Sequence, residues 1–190
     1  MIGNIVAGTL SVGVVPSTNS YESIATVTVG SGGATTITFS SIPSTYKHLQ
    51  IRAIGRFDNP LNINRSGSIR INSDTGSNYY THILAGDGSS AYADASSNTF
   101  MFPYSMPDDS TTANVFGAAV FDILDYANTS KNTTIRSLSG TDTNSSVSIV
   151  RLNSGLWNNT NAVTSISFSS NNFTIGFKQY SSFALYGIKD

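Results

Sequence analysis

The chain has 190 residues, with 31 Ser, 21 Thr and 18 Asn but one Glu, two Gln and four Lys, an alphabet from which an ordinary helical surface cannot be written. Charged residues make up 11% and the net charge is −1, against about 25% charged in an average soluble protein, which argues against a basic nucleic-acid binder or a polybasic membrane binder. The length suits one sizeable domain with or without a short arm, 39% hydrophobic and 11% aromatic residues permit a packed core, and the lack of cysteine removes disulfides and thiolate chemistry.

Residues 1–20 differ from the rest. The opening MIGNIVAGTLSVGVVPS is apolar, but it lacks the positive start of a secretory signal and is too interrupted by Gly, Thr and Asn to span a bilayer. It ends at Pro16 and a polar stretch, Ser17 to Ser20, which reads as a linker. Ile5, Val6, Leu10, Val12, Val14 and Val15 would form a sticky strand if left in water. The expectation is an extended N-terminal arm that docks on a partner or a neighbouring subunit; the alternative is that this stretch is the first strand of the domain's own sheet.

From 21 to 190 a single β-domain is expected. Short β-rich runs alternate with turn signals, the pattern of a sandwich or barrel, with strands near 23–29, 34–40, 47–57, 66–72, 78–86, 98–103, 115–126, 132–139, 146–152, 162–169, 172–177 and 182–188. In Leu49–Ala53 and Ile69–Ile71 apolar and polar residues alternate, so each strand has one buried and one wet face, which favours antiparallel sheets. Val115–Tyr126 is apolar on both faces as far as Asp122 and predicts a central strand covered on both sides. Gly30–Gly33 predicts a hairpin turn, and Asp58–Pro60, Asp74–Gly76, Asp87–Gly88 and Asn171–Asn172 predict further turns. Ser105–Asn114 carries Asp108 and Asp109 without periodicity and reads as a long surface loop with solvated charge. The fold class expected is an all-β antiparallel sandwich, jelly-roll-like, behind an N-terminal arm.

Motifs for chemistry are sparse. His48 and His82 lie on separate strands without an HxxxH or HxH partner. Asp74–Asn78 and Asp142–Ser146 cluster oxygen ligands, but the only Glu is Glu22, so no EF-hand loop can close and local turn bonding is the stronger reading. GxSxG and GxxxxGK[ST] are both missing, and Asp122 and Asp125, three apart, point to opposite faces of a strand, unlike a glycosidase pair. No cofactor, metal or catalytic residue is expected. Among the aromatics, Tyr79 and Tyr80 are adjacent, and Tyr104 and Trp157 are candidates for stacking on a glycan ring, with packing in the core or rim as the commoner role. Arg52, Arg70 and Arg151, each between core positions, should point to solvent or to a partner.

Five phrases carry a family resemblance: SYESIATVTVGSGGATTITFSSIPSTYKHLQIR (20–52), INSDTGSNYYTHIL (71–84), DYANTSKNTTIRSLSG (125–140), SGLWNNTNAVTSISF (154–168) and YSSFALYGIKD (180–190). Together they cover most of the chain, which resembles a family of tailed-bacteriophage virion proteins common among phages of aquatic bacteria. The resemblance implies a location on the virion rather than a mechanism, and it carries over no catalytic residue. Two roles are compatible with it. One is a non-enzymatic accessory protein, a capsid decoration or cement, anchored through its arm to the major capsid protein or to tail components and associating as a symmetric trimer or dimer. The other is a tail-fibre or baseplate adhesin that binds host surface glycans. Neither involves nucleic acid or a membrane.

Overall fold

A computed structural model describes residues 20–59, 66–144 and 148–189, and among them there is no helix. The strands are β1 (Tyr21–Thr28), β2 (Thr36–Phe39), β3 (His48–Gly55), β4 (Ser66–Ile71), β5 (Tyr79–Gly86), β6 (Ala91–Asn98), β7 (Met101–Ser105), β8 (Gly117–Leu124), β9 (Thr133–Thr141), β10 (Ile149–Trp157), β11 (Ile166–Ser170) and β12 (Ser182–Ile188). They form two antiparallel sheets packed as a sandwich. The larger runs β1-β12-β3-β8-β9-β10-β5-β6 and the smaller β2-β11-β4-β7.

Alternation explains most of this. On β3 Leu49, Ile51 and Ala53 are buried while Arg52 and Ile54 are exposed, and on β12 Phe183 and Leu185 are buried. The two inner faces meet in an aromatic core centred on Phe168, whose ring lies 5.0 Å from Phe183, 5.3 Å from Phe121, 6.1 Å from Tyr104 and 6.4 Å from Phe39. Such edge and tilted contacts add to a burial gain of about 1.5–3 kcal/mol per large side chain. Gly67 on β4 makes room for one of these rings, because a Cβ there would overlap Tyr104. The ends of the domain close on each other: β1 pairs with β12 from Tyr21↔Ile188 to Thr28↔Ser182, and Lys189 N donates to Ser20 O at 3.0 Å.

Several sequence expectations need correction. Strand β6 lies where none is expected, since AYADASSN offers no apolar face; it is held by its ladder to β5 from Tyr79↔Asn98 to Gly86↔Ala91, through the expected Asp87–Gly88 turn. The run 172–177 is a turn and not a strand. Asn172 Oδ1 accepts from Thr174 N and Ile175 N, Phe173 takes a positive φ of 59°, and only Phe177 forms isolated bridges, to Ala34 and Phe57. Gly30–Gly33 does not close a hairpin, because β1 and β2 belong to different sheets; Gly33, with φ 69°, turns a corner between them. Strand β8 is central in its sheet but covered on one face alone, with Ala118 and Leu124 exposed on the other.

The Ser105–Asn114 loop is not a solvated acidic loop. Asp108 is fully buried, and Ser110 donates to its Oδ1 through both N (3.1 Å) and Oγ (2.6 Å). Asp109 receives Lys178 Nζ at 2.6 Å and Arg56 Nε at 3.3 Å. Arg56, itself buried, donates on to the carbonyls of Thr111, Thr112 and Val115, which ties the loop to the end of β3. Burial pushes Asp109 up, but the bonds from Lys178, Asp58 and Arg56 outweigh it and hold Asp109 below the usual carboxylate range. Its neighbour Asp58 is raised, first by the hydrogen bond the two carboxyls share.

Candidate interaction surface

Strands β9 and β10 invert the polarity of an ordinary sandwich strand over residues 137–139 and 150–153. On β9 Ser137 and Ser139 point into the molecule and Leu138 points out; on β10 Arg151 and Asn153 point in and Val150 and Leu152 point out. The cause is β7, which ends the smaller sheet and packs against β9, β10 and β5. Its inner backbone groups have no strand to pair with, and buried backbone groups require partners. Side chains supply them. Ser137 Oγ and Asn153 Nδ2 both donate to Pro103 O, the latter at 2.9 Å. Ser139 Oγ accepts from Ser105 N at 3.4 Å and Thr81 Oγ1 from Phe102 N at 3.3 Å. Short polar residues reach a backbone that leucine could not satisfy.

With those positions taken, the apolar residues of the same strands are left outside. Across the ladder from β3 to β6, one row on the outer face runs Arg52, Val120, Leu138, Leu152, Leu84, Ala93, and the next runs Ile54, Ala118, Gly140, Val150, Gly86, Ala91. Ile54, Leu84, Leu138, Val150 and Leu152 are each between 47% and 58% exposed. Isolated exposed leucines are ordinary, whereas a contiguous apolar patch on one sheet face marks an interaction surface.

The third row is polar and internally balanced. Gln50 Nε2 donates to Asp122 Oδ1 at 2.9 Å, Arg136 Nη2 to Asp122 Oδ2 at 3.2 Å, and Arg52 Nε to Gln50 Oε1 at 3.0 Å. Two hollows flank the Leu138–Leu152 ridge. One, of about 760 Å³, lies beside Leu84, Leu124 and Leu152 with His82, Arg136 and Ser154 at its rim; the other, of about 500 Å³, lies over Ala118 and Gly140 beside Leu138 and Val150. An apolar floor with a polar rim is the anatomy of a protein interface.

The described candidates for glycan stacking, Tyr104 and Trp157, are not on this face. Ile5, Val6, Leu10, Val12, Val14 and Val15 lie outside the described residues. Tyr104 and Trp157 do not stack on a ligand: Tyr104 is 0% and Trp157 1% exposed, both in the core. The Tyr104 hydroxyl donates to Ser169 O at 2.9 Å, and burial drives its pKa well above the ordinary phenol value. Trp157 Nε1 donates to Asp74 Oδ2 at 2.8 Å. Asp74 does the turn work expected of it, accepting also from Gly76 N and Asn78 Nδ2. Burial raises the Asp74 pKa, but the bonds from Trp157, Asn78 and Gly76 prevail and hold it below the usual carboxylate range. Tyr79 is buried beside it, donates to Ile71 O, and is pushed up to about 12 by desolvation.

His48 is a satisfied strand residue, its Nδ1 accepting from Asp125 N at 2.9 Å, and His82 stands at the rim of the larger hollow. Arg52 points outward as expected, while Arg70 lies 4.0 Å from the centre of the Phe173 ring. Arg151 is the correction: it is buried with Nη1 on Ser66 Oγ at 3.0 Å, and desolvation lowers its pKa against the opposing pull of Tyr92 and Asp94. Among the described residues no group of three or more His, Asp or Glu is placed to hold a metal ion. The outer face of the larger sheet escaped sequence reading, because alternation gives the parity of a strand but not which parity faces the core. Its one legible signal was the apolar excess of Val115–Tyr126.

Compared with family models, curated proteins and solved structures, the chain matches none.

Proposed function

We propose that this protein is a non-enzymatic structural component of a tailed-phage virion, a decoration or cement protein on the particle surface, held there by its N-terminal arm and by protein contacts through the outer face of its larger sheet. The observation that carries the reading is the inverted polarity of β9 and β10, which commits Leu138, Val150 and Leu152 to the outside of a sheet. Such a face belongs in an assembly. The sequence resemblance supplies the setting, and the partners it implies are other virion proteins and further copies of this chain.

The strand order also supports a jelly roll. With β5–β6 and β9–β10 set aside, the remaining strands run β1-β12-β3-β8 and β2-β11-β4-β7, the paired Greek-key order of an eight-stranded double sheet. The two extra pairs extend the first sheet, and they carry much of the apolar face.

The adhesin reading loses the two rings that motivated it, since Tyr104 and Trp157 are core residues. The discriminating experiment is immunogold labelling of intact virions with antibody to the 20–190 domain. Gold spread over the head is the expected outcome. Gold confined to fibre tips would make glycan binding the primary role, and unlabelled particles would remove the virion assignment.

A further inference from the structure

We propose that the free edge of β6 is a strand-addition site, and that its occupant is the segment 6–14 of a second copy of this chain. The inference rests on the proposed reading of the N-terminal arm as an anchor and names what it anchors to.

The two sheets end in β1 and β6, and in β2 and β7. Three of these edges are blunted in ways that natural sheets use against unwanted pairing. Strand β1 carries a bulge between Ser23 and Ala25, β2 has only four residues, and β7 contains Pro103 and gives its backbone groups to Ser137, Asn153 and Ser139. Strand β6 is left open. Its eight residues keep an unbroken register with β5, include no proline, lysine or arginine, and meet no second strand among the described residues. Its one charge, Asp94, turns back on its own strand, where Oδ1 accepts from Ala95 N at 2.8 Å. That bond shows the Ala95 N–H facing away from β5, and the alternation of an antiparallel ladder puts the backbone groups of Ala93 and Ser97 on the same open edge.

The segment fits this edge in length and pattern. From Val6 to Val14 the even positions are Val, Gly, Leu, Val and Val and the odd ones Ala, Thr, Ser and Gly, without a charge. Such a period-2 run has one branched apolar row and one small or polar row. Strand β6 is divided to match, with Ala91, Ala93 and Ala95 on its outer row and Asp94, Ser96 and Asn98 on its inner one. Alanines leave space for branched neighbours, and the hollow of about 760 Å³ opens over Ala93 and Ala95 toward Leu84 and Leu152.

Reach selects a second copy. The described chain begins at Ser20, which is bonded to Lys189 beside β1. From Tyr21 the ladder crosses Ile188, His48, Leu124, Thr134, Leu156 and Tyr80 before it meets β6 at Ser97. Those seven steps of about 4.8 Å place β6 about 34 Å away, whereas the six residues from Ser20 back to Val14 span at most about 22 Å. Each copy therefore has donor and acceptor on opposite edges, with its own acceptor beyond the donor's reach. Contacts of this heterologous kind join copies into a ring, or into a filament if the rotation does not close, and main-chain hydrogen bonds supply the affinity.

The test uses the full-length chain, which has no cysteine. Ser11→Cys and Ala95→Cys, purified separately and mixed at about 100 µM, should be joined by a short bis-maleimide into a dimer whose cross-linked peptide contains both positions. Ser11→Cys mixed with Thr38→Cys, on the exposed face of the smaller sheet, should give about tenfold less. Absence of a product between positions 11 and 95 overturns the inference, in favour of an arm laid on its own β1 or kept for another protein.

Sedimentation velocity is the second measurement. The wild type should be oligomeric at about 100 µM, and Ala93→Pro, which removes a donor from the open edge alone, should be a monomer with an unchanged circular dichroism spectrum. A wild-type monomer, or a folded Ala93→Pro that stays assembled, overturns the inference; if Ala93→Pro unfolds, the cross-link decides. Cross-linked copies with unlabelled virions would leave the inference standing and remove the virion role; labelled virions without the cross-link would do the reverse.

Discussion

Asp74 sits in the turn that carries the chain from the smaller sheet into the larger, and its carboxylate gives the buried indole of Trp157 a partner. Asp74→Ala leaves that N–H unpaired and should destabilise the domain by about 1–3 kcal/mol. The effect should be visible as a shift in the emission of the only tryptophan, and in a lower midpoint in urea. The pH dependence has a definite sign. Because the folded-state pKa of Asp74 is depressed, its contribution is complete above the ordinary carboxylate value and is lost as pH falls through the depressed one. Acid titration followed by Trp157 fluorescence should therefore lose stability on the acid side in the wild type, with that component missing in Asp74→Ala. An unchanged acid limb would refute the assignment. The sequence showed the turn chemistry of Asp74 and made core or rim packing the commoner role for Tyr104 and Trp157, which is where both lie, but not which groups would receive them. Packing in three dimensions decides that, and the core demand for large rings around Phe168 claimed Tyr104 in particular.

At the scale of elements, the clearest tie is Arg56, one residue beyond β3, which binds the 106–116 loop through the carbonyls of Thr111, Thr112 and Val115. Arg56→Met keeps the apolar stem and removes the donors, leaving Asp109 with Lys178 and Asp58. Limited proteolysis should cut the loop at least tenfold faster, and stability should fall by roughly 3 kcal/mol, the cost of breaking a buried pair. A loop that stays protected would show that its own Asp108 turn suffices. Elements were legible wherever one face was apolar and the other polar, as on β3 and β12. They were illegible in two situations. Strand β6 exists through backbone pairing alone, with no burial pattern to betray it, and β9 and β10 were legible as strands but not in which face turns inward, Arg151 being expected outside and found buried. The serines and asparagine that the inner face needs are chosen by the backbone of β7, which is distant in sequence, so no local pattern could announce them.

For the whole molecule, the composition follows from this division of labour. Ser, Thr and Asn act both at the wet faces and inside, where Ser137, Ser139 and Asn153 stand in for a missing strand. Deleting residues 1–16 should leave the domain folded, without the full chain's association, and unable to join the particle. Circular dichroism, sedimentation and co-purification with virions check the three parts separately. Unfolding or aggregation of the truncated chain would place the arm in the domain's own sheet instead. The all-β class was open to reading from composition and turn spacing, whereas the strand order was not, because it depends on pairings between opposite ends of the chain.

Those pairings set a schedule. Strand β12, the last described strand in chain order, lies between β1 and β3, among the first. Until it arrives β1 lacks its strand partner, and β2 waits likewise for β11, which joins it to β4. Before β11 and β12 the chain can already form the local pairs β5 with β6 and β8 through β10, and the longer-range pairs β3–β8, β4–β7 and β5–β10. Sheets dominated by distant pairings form slowly, so the edges of β1 and β3 are closed late, when β12 slides between them as the keystone.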